Sequence, residues 1–135
     1  MSEAVNAVSV KGIYKNYGDV EALRDMSLDF PKGQLTSLLG PSGCGKTTLL
    51  KIIAGLLIPN QGEVYVNDQI VTKPGPDRAF VFQDFALMPW ASVIRNVAFG
   101  LELRKVAKSE REDIARKYIK QVGLDGFENS FPHEL

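Results

Sequence analysis

Residues 40–47 read Gly-Pro-Ser-Gly-Cys-Gly-Lys-Thr, and no other stretch of the chain narrows its fold so much. The segment fits G-x-x-x-x-G-K-[ST], a phosphate-binding loop, which needs a strand before it and a helix after it. Both are expected here. Gln34-Leu35-Thr36-Ser37-Leu38-Leu39 is more continuously apolar than the runs before it, as a buried central strand is, and leads straight into the glycines. Beyond them Leu49, Leu50, Ile52 and Ile53 fall at helical spacing within 47–54, and Gly55 stands where a C-cap glycine would. Gly40, Gly43 and Gly45 let a backbone curl around a phosphate with its N–H groups inward. The helix N-terminus adds unpaired donors, Lys46 reaches the β- and γ-phosphates, and the Thr47 hydroxyl can ligate Mg2+. A glycine turn capping an ordinary helix, with Lys46 solvated, leaves the match of all four fixed positions to their flanking pattern unexplained.

A local site is what this chain requires if it is to hold a polyphosphate. Sixteen Lys plus Arg balance sixteen Asp plus Glu, so there is no net field to draw nucleic acid or anionic lipid, and no nucleic-acid partner is expected. With 135 residues, 44% hydrophobic and 24% charged, the chain suffices for one domain or a piece of one and is not a disordered charged tail. Cys44 is the single cysteine, which excludes an internal disulfide and a thiolate metal cluster; it reads as a small side chain at a free position of the loop. The N-terminus shows no secretory signal, and the longest apolar tract, 49–58, is interrupted by Lys51 and too short to span a bilayer. A cytoplasmic location is expected.

The remaining punctuation is local. Val8, Val10 and Ile13 open one alternating run and Met26, Leu28 and Phe30 a second, which stops at the turn Pro31-Lys32-Gly33. Val64 and Val66 make a short strand reversing near Asn67-Asp68 before Ile70-Val71, and Ala79-Phe80-Val81-Phe82 reads as another buried strand. Thereafter the pattern is helical. Val93, Val97 and Leu101 share a face behind a Ser92 cap, and Ser109 with Glu112 forms a capping box for a helix reaching Val122, ended by Gly123. Strands first and helices second predict an α/β core with a helical attachment.

The loop at 40–48, Gln83 at a strand end, Leu87-Met88-Pro89-Trp90 and Asn96-Val97 together resemble the ATP-binding subunit of ABC transporters, most closely that of nitrate, sulfonate and taurine importers. The resemblance runs from Val8 to Leu135. It implies an α/β fold, namely a P-loop NTPase core with an antiparallel β segment and the start of a helical subdomain, with core strands and loop in 1–83 and the helical part in 84–135. It implies ATP and Mg2+ as ligands, held by Gly40, Pro41, Ser42, Gly43, Cys44, Gly45, Lys46, Thr47 and Thr48. Lys46 and Gln83 take the catalytic roles, and Thr47 and Gln83 the contacts to Mg2+ or the attacking water. Tyr17, on its residues alone a core or hairpin aromatic, is matched to the residue that stacks on adenine. Phe85, Met88 and Trp90 are matched to the surface that meets the transmembrane permease; packing within the helical part is the other reading of these three.

By the same resemblance, the subunit drives uptake of a small anionic solute from the inner face of the membrane, pairs with a second ATP-binding subunit and serves a solute-binding protein indirectly. Of the family's Leu-Ser-Gly-Gly signature only Leu135 is present, and the Walker B aspartate, catalytic glutamate and switch histidine come later than it. Phe82 is followed by Gln83 where a Walker B aspartate would stand, and His133 precedes the signature. The 135 residues alone are therefore expected to be inactive as an ATPase. The alternative is a truncated, non-catalytic nucleotide-binding module.

Overall fold

The first two apolar runs form a hairpin of long strands. In the computed structural model, which describes residues 5–84 and 86–135, β1 (Asn6–Tyr17) and β2 (Val20–Pro31) pair antiparallel, with Val10 opposite Leu28 and Tyr17 opposite Val20. β1 pairs on its other edge with β3 (Gln61–Val66), and β3 turns back into the short β4 (Gln69–Ile70), giving the sheet order β2-β1-β3-β4. The two residues of that second turn, Asn67 and Asp68, both have positive φ, 47° and 62°, as the tight turn between twisted strands demands. Val10 and Ile13 are both buried although three residues apart. An extra residue in β1 reconciles this: pairing slips between Val10/Leu28 and Ile13/Met26, a β-bulge at Gly12 that returns Ile13 to the core face.

That face is covered by α1 (Lys46–Ile53), whose Leu49 and Ile52 are buried with Val10, Ile13, Leu23 and Val64. Gly55 ends the helix as expected, at φ 75° with its N–H donating to the Ile52 carbonyl at 2.9 Å.

The two segments read as buried strands, Gln34–Leu39 and Ala79–Phe82, are not strands among the described residues. Leu35 is 97% exposed, Leu39 94% and Val81 92%, and of the first segment only Leu38 packs against the core. A central strand of an α/β sheet is buried by strands beside it and helices on both faces. Among the described residues no strand pairs with either segment, and Leu35, Leu39 and Val81 stand in water.

The chain falls into two compact units, Met1–Val81 and Phe82–Leu135. In the second, α2 (Val93–Leu103) packs on α3 (Lys108–Gln121) through Val93, Ile94, Ala98, Ala115 and Ile119. Ser92 is the N-cap of α2 without a side-chain bond. The first N–H groups of α2 go instead to carbonyls further along the chain, Val93 to Ser130 at 2.8 Å and Ile94 to Glu128 at 2.9 Å. Ser109 does not cap α3. The helix begins one residue earlier, behind Ala107, and Glu112 pairs with Lys108 and Arg116 one turn away on either side, at 3.8 and 3.7 Å. His133 stacks on Phe131 at the surface.

Candidate phosphate-binding site

The glycine loop begins at residue 40, makes a turn closed by the Cys44 N–H on the Pro41 carbonyl at 3.4 Å, and enters α1 through Gly45. Gly43 and Gly45 have φ of 82° and 96°, in the left-handed region that a side chain resists. The two differ in surroundings. A Cβ on Gly43 would meet nothing within 4 Å, whereas one on Gly45 would lie 2.6 Å from the Ala22 carbonyl oxygen and 2.7 Å from Leu23 Cδ2. Gly45 is thus the point at which the loop rests on β2, and Leu23 is itself in the core beneath α1.

Lys46 is turned back over the loop. Its ammonium donates to the carbonyls of Gly40 at 2.8 Å and Pro41 at 2.7 Å, and approaches Cys44 Sγ at 3.3 Å. A Cβ on Gly40 would lie 2.8 Å from Cys44 Sγ, so glycine there keeps that side of the loop clear. The cation therefore sits where an incoming phosphate can replace a neutral carbonyl acceptor with an anionic one. Thr47 and Thr48 follow in the first turn of α1. These features fit a polyphosphate: a cradle without side chains, a helix N-terminus and a cation that can be recruited. Among the described residues no group of three or more His, Cys, Asp or Glu side chains could hold a metal.

Tyr17 lies at the tip of the β1–β2 hairpin, half exposed, with Lys15 Nζ 5.6 Å from the centre of its ring. The strand opposite it runs through Val20 to Ala22 and Leu23, the residues under Gly45, so the hairpin carries Tyr17 at the end of the sheet nearest the loop. Gln83 is exposed at the start of the second unit and has an interaction of its own. Phe85 lies outside the described residues. Met88 is partly buried and Trp90 is 74% exposed, both in the loop that precedes α2.

Two residues to which the sequence reading gives no role support these loops. Arg78, with a side chain only 17% exposed, donates from Nε to the Ala54 carbonyl at the end of α1 and from Nη2 to Lys73 O at 2.6 Å, and pairs with Asp77. Asn96, on α2, holds the loop bearing Trp90 through four side-chain hydrogen bonds. Asn96 enters the sequence reading only within the Asn96-Val97 pair that carries the family resemblance, with no role given to it, and no motif marks Arg78.

Loop, lysine and helix together define a nucleotide-phosphate-binding domain of the P-loop class. The chain belongs to the ABC transporter family, whose model matches residues 23–135. It is 50% identical over 120 residues to an uncharacterized ABC transporter ATP-binding protein of Methanocaldococcus jannaschii, covering 89% of this chain and 45% of that one. It is 44% identical over 128 residues to the taurine import ATP-binding protein TauB of Yersinia pestis, covering 95% of this chain and 50% of that one. The chain thus spans about half the length of these relatives. Among solved structures, it superposes on a dimeric ATP-binding cassette in a post-hydrolysis state bound to ADP and Pi, with a TM-score of 0.82 at 31% identity, over 95% of this chain and 62% of that one. A second structure of that same cassette, also dimeric and described as a bacterial ABC transporter cassette, gives a TM-score of 0.83 with the same coverage. The antiparallel sheet, the loop with its helix and the helical unit are accordingly an incomplete P-loop NTPase domain of the α/β class.

Proposed function

We propose that these residues are the nucleotide-binding part of an ATPase subunit that powers an importer for a small anionic solute, of the taurine, sulfonate or nitrate kind. The observation that carries the reading is the Lys46 ammonium, 2.7 and 2.8 Å from two carbonyls of a loop built to receive phosphate. Residues 40–48 bind the phosphates of ATP, with N–H groups of the loop and of the α1 N-terminus as donors and Lys46 as the cation on the β- and γ-phosphates. Thr47 holds Mg2+, which when bound offsets the charge of the phosphate oxygens. Gln83 takes the role at Mg2+ or the attacking water that the family resemblance assigns to it, and Tyr17 stacks on the base.

The solute class draws on the TauB relatives of Yersinia pestis and Escherichia coli, 44% and 42% identical. The partners in this reading are a second copy of the subunit, as the dimeric neighbours suggest, a permease met by the loop around Phe85, Met88 and Trp90, and indirectly a solute-binding protein. In this reading the subunit works from the cytoplasmic face through that permease; no helix among the described residues is long and apolar enough to cross a membrane.

The test is equilibrium binding of MgATP to the full-length protein and to Lys46→Ala, followed by ATP-driven uptake of taurine, an alkanesulfonate and nitrate into vesicles carrying the permease. Binding that survives Lys46→Ala undiminished would overturn the site. Uptake of none of the three anions would overturn the solute class while leaving the site standing.

A further inference from the structure

The loop before α2 is held by one side chain. Met88-Pro89-Trp90-Ala91 is a β-turn, closed by the Ala91 N–H on the Met88 carbonyl at 3.1 Å, with proline at the second position, where its fixed φ suits the turn, and Trp90 at the third. Asn96, a turn into α2, grips both ends of it. Its Oδ1 accepts the Met88 N–H at 2.8 Å, and its Nδ2 donates to the carbonyls of Met88 at 3.1 Å, Ala91 at 2.9 Å and Ser92 at 3.1 Å. Backbone groups of a loop would otherwise be left to water. Here they are gathered by a partly buried amide, while Ala91 is buried as the anchor and Trp90 projects from the corner, 74% exposed.

The same turn of α2 receives the chain from its far side. Val93 and Ile94 donate to Ser130 and Glu128, so the loop 86–92, the start of α2 and residues 128–130 are joined within the second unit by hydrogen bonds.

We propose that Asn96 is the positioning residue of the docking loop: it presents Trp90, and Leu87 beside it, in a fixed frame to a cytoplasmic segment of the permease. The inference rests on the docking reading of Met88 and Trp90 given above. A large aromatic held rigid loses little conformational freedom on binding, and rigidity of this kind is what an interface anchor requires. Without the amide the turn keeps its proline but loses the bonds that tie it to the helix, and Trp90 would have to be ordered anew at each encounter.

Trp90 is the only tryptophan of these 135 residues, so its emission reports on this loop once any tryptophan outside them is replaced by phenylalanine. In the full-length subunit, Asn96→Asp retains an acceptor for the Met88 N–H, removes every donated bond and places a carboxylate in the first turn of α2, where helix stability is kept. Time-resolved anisotropy should show the amplitude of fast Trp90 motion rising about twofold or more in Asn96→Asp and Asn96→Ala. Affinity for the permease in lipid nanodiscs should fall about tenfold, with MgATP affinity unchanged. Unaltered Trp90 motion in Asn96→Asp would overturn the proposal, and so would looser motion with undiminished permease affinity. Trp90→Ala separates the two layers. If it leaves permease affinity intact, the docking reading itself has failed; if it weakens affinity and Asn96→Asp does not, only the role of Asn96 has.

Discussion

The Lys46 ammonium lies 2.7 Å from the Pro41 carbonyl oxygen, so the residue that is to meet the nucleotide closes the loop upon itself. Its bonds to the loop are exposed and go to neutral acceptors, and they add little to folding. Against a phosphate the same ammonium meets an anionic acceptor, so that both partners of the bond are charged. Lys46→Ala in the full-length protein should therefore weaken MgATP binding by about 100-fold while moving the thermal midpoint by only a few degrees. Lys46→Arg should rescue binding poorly, because a planar fork does not fit the space of a compact ammonium. Calorimetric titration with a parallel thermal melt reads both.

Gly43 and Gly45 share a left-handed backbone but not an environment, and alanine should separate them. Gly43→Ala meets nothing and costs about 1 kcal/mol of stability from its dihedral alone. Gly45→Ala adds a collision with the backbone at Ala22 and with the core side chain Leu23, and should cost about 3 kcal/mol or more. Urea unfolding of the two full-length variants measures the difference. Equal midpoints would mean that the loop does not rest on β2.

What the sequence makes legible follows the range of the interactions concerned. The Asn67-Asp68 reversal, the Gly55 helix end and the start of α1 behind Gly45 are specified by residues within a few positions of one another, and each stands where pattern reading puts it. Gln34–Leu39 and Ala79–Phe82 have the composition of central strands, but a central strand is made by distant neighbours, and composition cannot supply them. The box at Ser109 fails for a smaller reason. Glu112 has cations one turn away on both sides, and the helix starts far enough back to use them. The roles of Arg78 and Asn96 were invisible for a third reason: each satisfies backbone groups of a neighbouring loop, a role that leaves no periodicity in the chain.

Arg78 should matter to stability well beyond its single charge. It joins the end of α1 at Ala54 to the loop at Lys73, and that loop passes so close to Gly55 that a Cβ there would lie 2.5 Å from the Lys73 carbonyl. Arg78→Ala leaves these acceptors unpaired around a mostly buried side chain and should cost about 2–3 kcal/mol. Arg78→Lys should recover only part, since one ammonium cannot reproduce the fork that spans both carbonyls. Chemical denaturation of the three proteins orders them, and an Arg78→Ala variant as stable as the parent would remove Arg78 from the support of α1.

Tyr17 offers the sharpest test of how the base is held. Its ring stands half exposed at the hairpin tip with a lysine 5.6 Å from its centre, and its phenol takes part in none of the hydrogen bonds described above. Stacking of a base on such a ring is worth about 1–3 kcal/mol and tolerates any base, because every base has a π-face. Tyr17→Ala should therefore lower affinity for ATP and GTP by a similar factor, roughly tenfold, whereas Tyr17→Phe should bind both as the parent does. Competition titrations with the two nucleotides decide it. A loss confined to ATP would mean that Tyr17 reads the edge of adenine, and no loss in Tyr17→Ala would return the residue to the hairpin as a surface aromatic and leave the base to be held elsewhere.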